Sequence, residues 1–164
     1  MSELMNMSGE EDQETPQRIT FTAEAFIKMI GSLSDTFGSA GGSMMFQMGK
    51  DVGSYETRKM LRELDDSEVG QEALMEKILK EVSSHGWGEL RLEEFDLVKG
   101  VVEVVLHHNV FVTYCDEIDM PQCFFLRGYM AGIIEELTEQ RLHFKESKCY
   151  AFGDKDCSIK MVKS

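Results

Sequence analysis

The chain has 164 residues and a formal net charge of −13, from 30 acidic and 17 basic side chains. This length suits one domain that can bury a core without disulfide staples. The acidic balance argues against binding to nucleic acid or an anionic membrane, where lysines and arginines must neutralise phosphates. We therefore expect neither as a partner.

The first 16 residues are predicted to be a disordered acidic tail, which leaves 17–164 as a single folded domain. The tail is acidic and has no apolar centre, so it does not resemble a signal peptide. No stretch approaches the roughly 18 consecutive apolar residues of a membrane span. We expect a cytoplasmic protein, a compartment in which its four cysteines stay reduced.

Apolar side chains at helical spacing predict three helices in the first half of the chain. They cover residues 22–36, residues 43–64, and a third stretch that follows the N-cap candidates Asp65–Ser67 and ends at His85. The glycine-rich run 37–42 is predicted to separate the first helix from the second.

Two strands are predicted after the third helix, because the apolar period changes to two. The first runs from about 90 to 97, and a change of parity predicts a bulge near Glu93-Glu94. Lys99-Gly100 makes the turn into a central strand over 101–112. One face of that strand is predicted to carry Val102, Val104, Leu106 and His108.

The last third is predicted to hold one helix and two strands. The helix is capped at Asp119, has Pro121 in its first turn and runs to about Gln140. The strands cover 142–152 and 157–162. The order ααα-ββ-α-ββ indicates an α+β fold, an antiparallel sheet of about four or more strands with helices packed against it.

Two helices carry glycines one turn apart, Gly49 with Gly53 and Gly128 with Gly132. Glycine costs a helix interior up to about 1 kcal/mol relative to alanine, so such pairs favour a close approach of another backbone. We expect close helix–helix contact here, within the chain or across a dimer, and we predict a homodimer formed through these glycine-containing helices.

Four polar residues near the end of the chain form a candidate metal set: Cys123, Glu146, Cys149 and Cys157. A structural zinc site takes four closed ligands, usually rich in thiolates. Spacing alone leaves zinc level with ordinary buried or free thiols, and a disulfide ranks third. Glu146 and Cys149 also have opposite parity on an ideal strand, so joint ligation requires an irregular strand between them.

The segments CFFLRGYMAG (123–132) and FKESKCYAFGDKDCSI (144–159) resemble the 4-vinyl reductase domain family. That family belongs to a superfamily with haem-based nitric oxide sensors and subunits of Golgi trafficking complexes. The resemblance implies a structural, non-catalytic zinc held by Cys123, Glu146, Cys149 and Cys157. It also implies a small apolar or aromatic ligand in an internal pocket. Cys115 lies outside this set, and we expect it to be a small buried side chain rather than a redox-active thiol.

The function that this resemblance implies is a small-molecule-binding sensor. The alternatives are an enzyme or accessory in vinyl-tetrapyrrole reduction, and a dimeric assembly module. No dinucleotide-binding or phosphate-binding glycine motif is present, so we favour the sensor hypothesis over the enzyme hypothesis. The residues predicted to line the pocket are Met45, Met48, Trp87, His108, Phe124 and Phe125.

Overall fold

The computed structural model describes residues 19–63, 70–114, 123–145, 148–150 and 153–163. Within them the chain is α+β, as predicted, and the order of elements roughly follows the prediction. In chain order the elements are α1 (Ala23–Phe37), α2 (Ser39–Glu63), α3 (Gln71–Ser84), β1 (Glu89–Asp96), β2 (Val101–His107), α4 (Val110–Thr113), α5 (Phe124–Thr138), β3 (His143–Lys145) and β4 (Cys157–Val162). None of the described helices is long and apolar enough to cross a membrane.

The strands pair antiparallel in the order β1-β2-β4-β3. The register shifts between Leu92 and Glu94, which confirms the predicted bulge. Along β2 the side chains of Val102, Val104 and Leu106 are buried, and the residues between them are half-buried. The core therefore lies on one face of the sheet, where the helices also supply their apolar stripes.

The glycine pairs of α2 and α5 lie against each other within one chain. A Cβ built on any of the four would come within 3.0 Å of a backbone oxygen of the other helix. The oxygens met belong to Phe125 (by Gly49), Tyr129 (by Gly53), Phe46 (by Gly128) and Lys50 (by Gly132). The predicted close contact is thus intramolecular, and these glycine faces cannot also form the contact surface of a homodimer.

The predicted break over 37–42 is wrong, because only Gly38 separates α1 from α2. Gly38 has a φ of +54°, a conformation that glycine adopts without strain. Gly41 and Gly42 belong to the first turn of α2 and serve packing. A Cβ on Gly41 would overlap the backbone of Leu33, and one on Gly42 would press on the Phe124 ring.

The central strand ends at His107, five residues earlier than predicted. His108 has a φ of +54° and is exposed, so it does not share the buried face of β2. Asn109 then caps the short helix α4, its Oδ1 accepting a hydrogen bond from the Phe111 amide at 2.9 Å. This local cap competes with strand pairing and ends the strand.

Two other boundaries differ from the sequence prediction. Helix α5 begins at Phe124 and ends at Thr138, whereas its predicted start at Asp119 and Pro121 lies outside the described residues. The N-cap candidates of α3, Asp65–Ser67, lie outside them as well.

Candidate metal centre and aromatic cluster

Cys123 and Cys157 meet at a buried asparagine. The Asn109 Nδ2 donates to Cys123 Sγ at 3.1 Å and to Cys157 Sγ at 3.3 Å. All three side chains are buried. Each comes from a different element, since Asn109 caps α4, Cys123 precedes α5 and Cys157 begins β4. The topology thus brings together thiols that are 34 residues apart in the sequence.

The two thiols titrate as a pair. The hydrogen bond from Cys123 lowers the pKa of Cys157 to about 6, against the effect of burial. The same hydrogen bond, followed by burial, raises the pKa of Cys123. The two shifts are opposite in direction, so the pair loses its first proton more readily than an isolated cysteine, and the thiolate is the form that binds a cation.

Cys149 lies in an irregular segment next to this pair. Its thiol is among the groups that lower the pKa of Cys157 through a hydrogen bond. The Cys149 amide donates to Asp154 Oδ2 at 2.8 Å, and Gly153, with a φ of +93°, completes the turn. Residues 148–150 are not in a strand, so the prediction of a continuous strand over 142–152 is wrong here, and strand parity does not govern where Cys149 points.

The fourth predicted ligand, Glu146, lies outside the described residues, as does Cys115. Among the residues that are described, no group of three or more histidine, cysteine or acidic side chains has an arrangement that could hold a metal ion. What the structure brings together is the Cys123–Cys157 pair on Asn109, with Cys149 beside Cys157. Whether these residues ligate a metal stays a prediction.

A surface cleft of about 660 Å³ borders the cysteine pair, with Asn109 and Cys157 in its wall. His107 and His108 also line it, and His107 Nδ1 lies 2.7 Å from Asp156 Oδ1. His108, predicted to line an internal pocket, therefore faces an open cleft.

The other predicted pocket residues occupy two different environments. Met45 and Phe125 are buried, and Trp87 and Phe124 are partly buried against the core. Met48 is 44% exposed, because it lies on the face of α2 that points away from α5. The structure thus joins Trp87 and Phe125, whose rings are 5.7 Å apart, and leaves Met48 outside.

Trp87 and Phe125 belong to an aromatic cluster in the protein interior, which contains five rings among the residues that the structure describes. Its members are Phe26, Trp87, Phe111, Phe125 and Tyr129. One edge of the cluster is polar. There the Tyr129 hydroxyl donates a short hydrogen bond to a Glu56 carboxylate oxygen. Burial, and then this hydrogen bond, raise the pKa of Tyr129, so the hydroxyl keeps its proton.

Sequence reasoning missed Phe26, Phe111, Tyr129 and Asn109 as members of these sites. Asn109 follows a β-branched run and precedes Val110. Asparagine is a preferred N-cap residue, so its position could have predicted the start of a helix there. The aromatic residues carried no such signal, since their contacts join α1, α4 and α5.

Comparison with known proteins points to the same part of the chain. The model of the 4-vinyl reductase domain family, abbreviated V-4-R, matches residues 102–163, a stretch that runs from β2 to the end of β4. The match covers 62 of the 164 residues, so this segment is similar to the 4-vinyl reductase domain. All four predicted metal ligands lie in this family segment, as does Asn109. The predicted resemblance is thereby confirmed.

Solved structures show the same fold over most of the chain. The phenol-responsive sensory domain of the transcription activator PoxR, crystallised with phenol, is 18% identical with a TM-score of 0.73, covering 88% of this chain and 76% of that one. A trafficking protein particle complex subunit 3 from Naegleria fowleri, covalently bound to palmitic acid, is 15% identical with a TM-score of 0.63, covering 85% and 93%.

An H-NOX protein from S. oneidensis in the Fe(II)NO state is 11% identical with a TM-score of 0.58, covering 94% of this chain and 83% of that one. At these identities the likeness concerns the fold. No curated protein matches the chain.

Proposed function

We propose that this chain is a small-molecule-binding sensor domain whose ligand is a small aromatic compound. The observation that carries the proposal is the five-ring cluster with a single polar end at Tyr129 and Glu56. Ligand sites of this kind are mostly apolar, with a few polar groups that fix the orientation of the ligand. The 4-vinyl reductase segment and the fold shared with a phenol-responsive domain support it.

We further propose that Cys123, Glu146, Cys149 and Cys157 hold a structural zinc ion. The donor set fits, since zinc accepts thiolates together with a carboxylate, and the Asn109 amide would orient two of the sulfurs. Bound zinc would neutralise the thiolates and hold the loop before β4 to the start of α5. With four protein ligands it leaves no open position for catalysis.

The side chain of Asn109 connects the two proposed sites. Asn109, which donates to both thiols, also accepts the amide hydrogen bond of Phe111, a member of the ring cluster. Cys123 precedes α5, and Phe125 lies in the first turn of that helix. The cysteine site therefore helps to position Phe111 and Phe125, two rings of the aromatic cluster. A change in the order of the cysteine site, such as loss of its metal, is expected to alter the aromatic cluster as well.

Phenol is expected to bind the zinc-loaded chain with one site per chain, because its ring can stack in the cluster and its hydroxyl can reach the polar end. Isothermal titration calorimetry measures this, with cyclohexanol as the matched control of similar size and hydroxyl but no aromatic ring. Cyclohexanol should bind much more weakly. Equal binding of both compounds, or no heat from phenol, would reject an aromatic ligand.

A homodimer remains a proposal, and it needs a different surface from the glycine faces. The face that α2 turns to solvent carries exposed apolar side chains at helical spacing, and a second copy of the chain could cover them. They are Met44, Met48, Val52 and Tyr55. Sedimentation equilibrium of the chain and of a Val52→Glu variant tests this: dissociation of a dimer by the substitution supports it, and a monomer in both cases rejects it.

A further inference from the structure

Trp87 lies in the connection between α3 and β1, with a glycine on each side. Gly86 has a φ of +90° and Gly88 a φ of +124°, both in the region that other residues rarely adopt. The Trp87 carbonyl accepts one hydrogen bond, from the Val110 amide at 3.3 Å. The indole is therefore attached to a short loop whose two flanking residues permit unusual backbone conformations.

The indole of Trp87 contacts all four other rings of the cluster. It stacks on Phe111 at 5.9 Å and on Phe125 at 5.7 Å, meets Phe26 edge-on at 5.4 Å, and lies 5.9 Å from Tyr129. Phe125 has as many ring contacts, but it is fixed on α5 and almost fully buried. Trp87 is only partly buried, so it is the central ring that also reaches the surface.

A cleft of about 580 Å³ lies on the outer side of the same loop. Both flanking glycines line it, together with Ser83, Ser84, Val110 and Thr113. Gly86 has open space around its Cα, since a Cβ there would meet no atom within 4 Å. The loop that carries Trp87 thus lies between an open surface cleft and the aromatic interior.

We infer that Trp87 is a displaceable plug of the aromatic site. Its indole occupies the position of the ligand ring, and it leaves toward the cleft when a ligand enters. The vacated space is bounded by Phe26, Phe111, Phe125 and Tyr129. This inference rests on the proposed function and adds to it the route by which the ligand enters.

The groups that remain around the vacated space fit the small aromatic ligand already proposed. A single aromatic ring is smaller than the indole it replaces, and it regains stacking on Phe111 and Phe125. The Glu56 carboxylate already accepts from Tyr129 and has further lone pairs for a second hydroxyl. The vacated space would therefore suit a single aromatic ring that carries a hydroxyl group, as phenol does.

The plug also sets the affinity. A ligand that binds only the open state has its apparent affinity reduced by the small fraction of chains in that state. Weakening the contacts of residue 87 raises this fraction. A fixed wall would behave in the opposite way, because weaker stacking would then cost binding.

Trp87 is the single tryptophan of the chain, so its fluorescence reports the plug directly. With phenol at saturation, excited where phenol does not absorb, we expect the emission of Trp87 to shift to longer wavelength. Quenching by acrylamide should become several-fold more efficient. Cyclohexanol at the same concentration should change neither. Phenol that binds by calorimetry without any change at Trp87 would overturn the plug and leave the proposed function intact.

Trp87→Phe provides a second readout with opposite predicted signs. A smaller ring plugs the site less firmly, so phenol should bind the variant several-fold more tightly by calorimetry. Several-fold weaker binding would identify residue 87 as a fixed wall and overturn the plug. No binding of phenol to either protein would overturn the proposed aromatic ligand, and the plug with it.

Discussion

Gly49→Ala is expected to lower the free energy of unfolding by about 3 kcal/mol, at the upper end of typical overpacking costs. The new methyl group would overlap the carbonyl oxygen of Phe125. This contact is between backbones, so no side chain can rotate to relieve it, and α2 and α5 must move apart. Urea denaturation followed by circular dichroism measures the loss.

Gly31→Ala is the matched control, since Gly31 also lies inside a helix. A Cβ there meets nothing within 4 Å. Alanine should therefore stabilise the chain by up to about 1 kcal/mol through helix propensity alone. If Gly49→Ala raised the free energy of unfolding as Gly31→Ala is expected to do, α2 and α5 could not be packed as closely as described here.

Gly49→Ala has a second expected effect, on the ligand site. Phe125, whose carbonyl the methyl group meets, is a ring of the aromatic cluster. Moving α5 away from α2 displaces this ring relative to Trp87 and Phe111. Phenol affinity should therefore fall in Gly49→Ala and stay unchanged in Gly31→Ala, which calorimetry can compare at a temperature where both variants are folded.

Cys157→Ser is expected to abolish zinc binding and to lower the melting temperature to that of the chelated wild-type chain. Serine keeps the size of the side chain and removes the thiolate that zinc prefers. Because the binding free energy of a structural zinc contributes to folding, the loss should amount to several kcal/mol. Metal analysis and a thermal melt with and without chelator measure both effects.

Cys115→Ser is the matched control, because it makes the same cysteine-to-serine change at the one cysteine outside the predicted ligand set. It should retain one zinc per chain, and chelation should lower its melting temperature by as much as it lowers that of the wild-type chain. Glu146→Gln should weaken the metal less than Cys157→Ser does, since the three thiolates remain. A wild-type chain that purifies without metal and melts unchanged after chelation would reject the zinc site.

The lowered pKa of Cys157 determines how the free energy of unfolding of the metal-free chain changes with pH. A thiol whose folded pKa of about 6 lies below its ordinary value near 9 favours folding at alkaline pH, and this contribution is lost as the pH falls through 6. The raised pKa of Cys123 acts in the opposite direction above pH 9. Zinc, which replaces the thiol protons, should flatten the profile.

The sequence predicted those elements whose signal is local. Helix α1 begins after its cap Thr22, and α3 has a buried apolar stripe of Leu74, Met75, Ile78, Leu79 and Val82, as its helical spacing requires. The bulge in β1 was readable because one change of parity marks it. The glycine pairs correctly indicated a close contact, because glycine inside a helix has a propensity cost that packing must offset.

The remaining features depend on contacts distant in sequence. Gly41 and Gly42 looked like a break because composition does not distinguish a turn from a packing site. The exposed position of His108 follows from the Asn109 cap, which overrides the β-branched run before it. Asn109 joins the cysteine site only because the sheet places Cys157 against the start of α5. Asn109 and Cys157 are 48 residues apart in the sequence.

Native mass spectrometry of the full chain, with zinc supplied during expression and phenol added before measurement, tests the coupled sites most directly. We predict one zinc ion per chain and one phenol on the zinc-loaded form, with the phenol adduct weakened after chelation. A folded chain that carries neither, or one that binds phenol equally well with and without its metal, would contradict the account.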